Sequence, residues 1–199
     1  MTSFTVAPPT REKNMDPEPF WSLPLAGGPV RVPPTPDGVR ARLSPDERTA
    51  FEDRLARTPG QHLVFVVLDA AVPPAARQQD PDTLARLLGG DFTGVTDETG
   101  QQVHLPDIEG DSPVWFIPYT GQGTVEIPAT IAGVHARLDD GRRAEFDTEV
   151  GATPAHLLHF TILQYATPDE VTAETDAVVA QLRDNTPTIP GGHGDEAVA

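Results

Sequence analysis

The sequence predicts an α+β fold: a single domain with an antiparallel or mixed β-sheet packed by about three helices, preceded by an extended Pro-rich N-terminal arm. Three observations carry this expectation. Of 22 prolines in 199 residues, nine fall before residue 37. Helix-cap signals open segments at Ser44, Asp80 and Thr167. Apolar runs rich in β-branched residues, separated by glycine-containing turns, fill much of the rest. The expected organisation is an arm over 1–43, an α+β domain over 44–185 and a tail over 186–199.

Proline fixes φ and lacks an N–H, so the first 36 residues are expected to form neither a continuous helix nor a central strand. An extended or polyproline-II path is the expectation. The arm is nonetheless apolar, with Phe20, Trp21, Leu23, Leu25, Val30 and Val32. Solvated linkers are poor in such residues. These six side chains are therefore expected to dock, either on their own domain or on a neighbouring subunit or partner.

"SPDERTAFEDRLARTPG" reads as a helix, with Ser44 as N-cap, Pro45 in the first turn and Glu47 completing a capping box. Phe51 and Leu55 lie on one face, and Gly60 marks the end. "HLVFVVLDA" (62–70) reads as a central strand covered on both faces. "DPDTLARLLGG" repeats the cap logic from Asp80. "FTGV" and "QQVHL" flank a turn, "VWFIPY" and "TVEIPATI" flank another, and "AGVHARL" and "RRAEFDTEV" flank "DDG" as a hairpin signal. "HLLHFTILQY" (156–165) reads as the second apolar strand. "TPDEVTAETDAVVAQLRDN" reads as a third helix, with Val171, Val178 and Leu182 as its stripe. Strands are expected to outnumber helices, and no internal repeat is evident.

Composition excludes several chemistries. No cysteine is present, which removes disulfides, thiolate nucleophiles and cysteine metal sites. The formal charge of −16 leaves no basic footprint for nucleic acid or an anionic membrane. No apolar run approaches the roughly 20 residues of a spanning helix, and the N-terminus lacks the pattern of a signal peptide. A cytoplasmic setting fits, or a particle-associated one if the chain belongs to a virion-type assembly.

Motif reading gives no catalytic residue, no cofactor and no metal site. "GQG" at 121–123 lacks a phosphate-binding spacing and precedes a strand, so it reads as a turn with a positive-φ glycine. His156 and His159, three apart on a strand, would face opposite ways and share no ion. "DIEGDSPVWFIP" offers Asp107, Glu109 and Asp111 in the first positions of an EF-hand loop, but Ser112 and Pro118 break it. No serine lies in a GxSxG elbow. Asp69 ends an apolar run, where a catalytic acid or a simple turn residue is found.

The leading expectation is a non-catalytic structural, assembly or partner-binding protein, oligomeric or part of a complex, whose arm docks on a protein. One rival is a small-molecule enzyme or binder with a pocket near Asp69, His104 and Trp115. Another is an acidic regulatory or immunity-type protein that covers a basic partner.

Overall fold

The computed structural model describes residues 19–105, 110–119, 123–168 and 171. Among them are two antiparallel two-stranded ribbons and eight α-helices around one continuous apolar core, so the chain is a mixed α+β single domain. Among the described residues, strands do not outnumber helices.

Strands β1 (Trp21–Leu25) and β2 (Gly28–Val32) form the first ribbon, with Trp21 opposite Val32 and Leu23 opposite Val30. Pro24 and Pro29 pair with each other. A two-stranded ribbon has only edges, so the missing N–H groups interrupt no central ladder. Residues read as an extended arm therefore make a hairpin followed by helix α1 (Pro36–Arg40), which Thr35 caps through the Gly38 N–H at 3.1 Å.

Helix α2 (Pro45–Arg57) begins with the full Ser44–Glu47 capping box. A 3-10 turn, Gly60–His62, leads into α3 (Leu63–Ala71). The run read as a central strand is this helix. Leu63, Val64, Val66, Val67, Leu68 and Ala71 are all buried, so α3 is apolar on every side and shows no helical period in its sequence. Short apolar runs of that kind are equally compatible with strand or helix. Helices α4 (Pro74–Gln79) and α5 (Pro81–Leu88) follow, the latter capped by Asp80. Residues 92–103 then fold back: Val103 N–H reaches Val95 O, and Asp97 N–H reaches Gln101 O, across a turn at Gly100.

Strands β3 (Val114–Tyr119) and β4 (Gly123–Pro128) pair as expected, Trp115 opposite Ile127. Gly123 adopts φ 93°, as the turn reading requires. The "DDG" hairpin does not form. Asp139 instead caps α7 (Asp140–Ala152) through the Arg142 N–H, after the short helix α6 (Ile131–His135). Aspartate and glycine serve helix starts as readily as hairpin turns. "HLLHFTILQY" becomes a 3-10 turn (Ala155–Leu157) and α8 (Leu158–Ala166), not a strand. The third expected helix lies almost wholly outside the described residues. Of it, Thr167 caps the end of α8, and Val171 is buried.

The expectation of a chain without internal repeat also fails. Val39, Leu43, Phe51, Pro59, Leu63 and Leu68 recur as Val134, Leu138, Phe146, Pro154, Leu158 and Leu163, all at the interval of 95 that separates Val39 from Val134. The geometry recurs with them. Thr130 caps Gly133 at 3.1 Å as Thr35 caps Gly38. Arg48 donates to the Arg40 carbonyl at 2.9 Å, and Arg143 to the His135 carbonyl at 3.0 Å. The ribbons correspond as well, Trp21 matching Trp115 and Ser22 matching Phe116 by register.

Cross-contacts between the halves are reciprocal. Gly60 N–H donates to Ala129 O at 2.7 Å, while its counterpart Ala155 N–H donates to Pro34 O, the counterpart of Ala129, at 2.8 Å. Helix α1 packs on α7 and α2 on α6. The two halves, 19–105 and 110–171, are thus related by an approximate internal two-fold and share one core, as the subunits of a closed symmetric dimer would.

Candidate partner-docking face and the cleft between the halves

The six arm residues do not form one surface. Trp21, Leu23, Leu25 and Val32 lie inside the core of their own chain, Trp21 only 1% exposed. Val30 is half-buried, and Phe20 is half-buried under the Arg31 guanidinium, 4.3 Å from its ring centroid. Trp21 meets Phe92 edge-on at 6.1 Å and the His156 ring at 5.8 Å. The first ribbon is therefore clasped between its own half and the second one.

Asp69, His104 and Trp115 are not brought together. Asp69 lines a cavity of about 490 Å³ that neither of the others lines. Its two oxygens accept from Arg77 at 2.6 Å and Arg54 at 2.8 Å. Burial pushes this carboxyl up, but the Arg77 and Arg54 hydrogen bonds outweigh it and hold it below the ordinary carboxylate range. An acid locked between two guanidiniums is a structural pin. His104 is exposed. Trp115 packs over Gly60 and gives its indole N–H to Gln61 Oε1 at 3.2 Å.

His156 and His159 sit on consecutive helical turns, not on a strand. His159 is 3% exposed, and neither its Nε2 nor His156 Nδ1 has a hydrogen-bond partner. Burial pushes both imidazoles below their ordinary value. For His156, the nearby Asp97 and Glu98 act in the opposite direction. Among the described residues, no three metal-ligating side chains cluster. Asp107 and Glu109 lie outside the described residues, and the exposed Asp111 pairs with His62 at 2.7 Å.

A larger cleft, about 810 Å³, opens where the halves meet and is lined by α1, α2, α6 and α7. It carries counterpart contacts: the Arg40–Glu52 ion pair at 2.5 Å, and His135 Nε2 against an Asp147 carboxylate oxygen at 3.2 Å. Arg40 also holds Asp37, and Arg143 holds Asp140. The Glu52 hydrogen bond, reinforced by Asp37, raises the Arg40 guanidinium above its usual value against the effect of burial. Each of these side chains is engaged from within the chain, so the cleft walls act as a clamp between short and long helices.

The halves differ most at the faces of α3 and α8. In the first half, residues 92–103 cover the ribbon and α3. Ser22 and Thr96 exchange two backbone hydrogen bonds, at 2.8 and 3.2 Å. Phe92 bridges Trp21 and Phe65, the latter at 6.4 Å. In the second half the same positions are Phe116, Trp115 and Phe160. Phe116 is 63% exposed, Phe160 57% and Leu157 39%, and Trp115 is only half-buried. Among the described residues, no segment pairs with the outer edge of β3. An aromatic face beside an unpaired strand edge is the arrangement that receives an added strand. The arm reading drew attention away from this face. The signal for it lay in the repeat, which places an aromatic where the first half has Ser22.

Fold and site together define an internally duplicated α+β protein with one ribbon face covered and the other bare among the described residues. No family model, no curated protein and no solved structure matches the chain.

Proposed function

We propose that this is a non-catalytic binding or assembly protein that engages a protein partner through the bare face of its second half. One observation carries this reading: Phe116 on β3 and Phe160 on α8 stand exposed, while their counterparts Ser22 and Phe65 are covered by residues 92–103. Large aromatics exposed together mark interaction surfaces more often than ordinary surface. The arm side chains first expected to dock are mostly turned inward, so the docking surface moves from the arm to β3 and α8. The charge of −16 favours a basic partner, which joins this reading to that of an acidic regulator. The small-molecule reading has less support, because Arg40 with Glu52 and His135 with Asp147 in one cavity, and Asp69 with Arg54 and Arg77 in the other, are engaged with one another.

The test is affinity purification from the native cell with wild-type protein and with the Phe116→Ser, Phe160→Ser double variant. Both positions are exposed, so thermal melting should be nearly unchanged. A protein recovered in stoichiometric amount by wild type and lost with the double variant is expected. Identical recovery by both would reject the face as the docking surface.

A further inference from the structure

We infer that residues 2–7 of this chain, the stretch "TSFTVA", add a strand to the outer edge of β3 and seat Phe4 beside Phe116. The inference goes beyond the docking reading, since it says what holds that edge until a partner displaces it. The internal two-fold carries it. In the first half, Thr96 exchanges two backbone hydrogen bonds with Ser22 at the edge of β1. Ten residues, 104–113, then join this cover to β3. The cover thus stands just ahead of the second ribbon in the chain and lies on the first. Exchanging the halves gives the reciprocal arrangement, in which residues just ahead of the first ribbon lie on the second. The bonds of Gly60 to Ala129 and of Ala155 to Pro34 are reciprocal in this same sense.

The strand register fixes which residues these are. Ahead of the ribbons the halves stand at the interval of 94 that separates Trp21 from Trp115, because the first hairpin turn is one residue shorter. At that interval Pro19 stands for Pro113, residues 10–19 stand for the joining stretch 104–113, and Thr2 stands for Thr96. The reach that serves the first half is therefore available to the second.

The stretch has the chemistry of an edge strand. Thr2, Phe4 and Val6 alternate with Ser3, Thr5 and Ala7, and three of the six are β-branched. Every residue from 2 to 7 has an N–H, and the prolines come only at 8 and 9. With Thr2 opposite Phe116, Phe4 lies opposite Val114, one diagonal from the Phe116 ring and on its side of the ladder. Glu126 pairs with Phe116 from the other strand, and residues 2–9 bring no second acid beside it. The C-terminal stretch 187–198 is poorer on each count. It has prolines at 187 and 190, no aromatic residue, and acids at Asp195 and Glu196. A segment tethered to the same chain also holds the edge at a high effective concentration, ahead of a second copy.

Amide exchange of the full chain, read at Phe116, tests the inference. The Phe116 N–H is the counterpart of the Ser22 N–H that Thr96 O accepts at 2.8 Å. It should be protected in wild type and exchange at least ~10-fold faster in Phe4→Ser and after deletion of residues 2–7, while Phe4→Leu keeps most of the protection. Both variants lie outside the packed body, so the exchange of α3 should be unchanged in each. In parallel, Phe4→benzoylphenylalanine is irradiated and the cross-link mapped. A link to β3 within one monomeric chain is expected.

Three results overturn the inference. Phe116 exchange that is equally fast in wild type and in both variants leaves the edge uncovered. Protection that survives deletion of 2–7 and disappears on removal of 187–199 assigns the edge to the C-terminal stretch. A cross-link that joins two chains, with protection lost on dilution, assigns it to a second copy. None of the three touches the docking reading, which stands or falls on recovery of a partner by wild type and by the Phe116→Ser, Phe160→Ser double variant. Conversely, Phe116 protection that depends on Phe4 establishes the cover even where the two proteins recover the same partners.

Discussion

The Trp115 ring lies against the α-carbon of Gly60, so close that a Cβ there would stand 2.8 Å from the ring. Ile162 closes the same spot from the other side, at 3.2 Å. This glycine was expected to end a helix. It begins a 3-10 turn, and its bare α-carbon lets the second ribbon settle on the first half. Gly60→Ala should displace the half-buried indole, break its bond to Gln61 and cost about 1–2 kcal/mol. Urea unfolding followed by tryptophan emission reports both effects, and an unchanged midpoint would show that the ring does not hold this position.

Trp21 should matter more than Trp115. It is fully buried, and it joins its own half, through Phe92, to His156 of the other. Trp21→Ala should destabilise by about 3–5 kcal/mol, and Trp115→Ala by clearly less. Removing residues 1–35 should leave no cooperative unfolding transition, since Leu23, Leu25 and Val32 leave the core along with the indole. A truncated chain that melts sharply would restore the arm as a separable element.

His159 offers a pH test. Burial holds its folded-state pKa below the ordinary imidazole value, so the unfolded chain binds the proton more readily. The neutral ring is tolerated in full above that ordinary value, and stability is lost as pH falls through it towards the lowered folded-state pKa. Between pH 7.5 and 5.5 the wild type should lose more melting temperature than His159→Val, which installs the residue of the counterpart position, Val64. Parallel profiles for the two proteins would refute a buried neutral imidazole. His156, shifted in the same direction, should supply part of the dependence that remains.

Gly123 holds φ 93°, and no atom lies within 4 Å of where its Cβ would stand. The penalty for a side chain there is therefore purely conformational. Gly123→Val should cost about 1–3 kcal/mol, and Gly28→Val, at φ 110° in the first ribbon, a similar amount. Gly123→Asn should recover part of the loss, because asparagine tolerates positive φ better than valine. Equal melting temperatures for glycine and valine would rule out the tight turn.

What was legible in the sequence divides along physical lines. The caps at Ser44 and Asp80 were readable because a side-chain oxygen three residues before an acceptor-hungry N–H is a local matter. The β3–β4 hairpin was readable for the same reason, since turn glycines act on their neighbours. Helices α3 and α8 were not. Buried residues take up most of α3, and in α8 an exposed phenylalanine, Phe160, stands beside a buried histidine, His159, so in neither does the apolar pattern show a helical period. The "DDG" stretch was ambiguous until placed beside its counterpart "SPD", where Ser44 visibly caps a helix as Asp139 does. The bare face was invisible element by element, because it is a difference between two copies and requires the copies to be aligned first.

The reciprocal bonds of Gly60 and Ala155 carry a genetic corollary. In an assembly of two identical subunits, every substitution is made twice, and a surface cannot change on one side alone. Here the two sides are encoded separately, so serine at position 22 and phenylalanine at 116 can coexist. One side can keep the core closed while the other is free to acquire a contact that would be ruinous if doubled. A single-residue change at 116 or 160 therefore alters how the molecule meets its surroundings without touching Ser22, Phe65 or Phe92, which keep the opposite side shut.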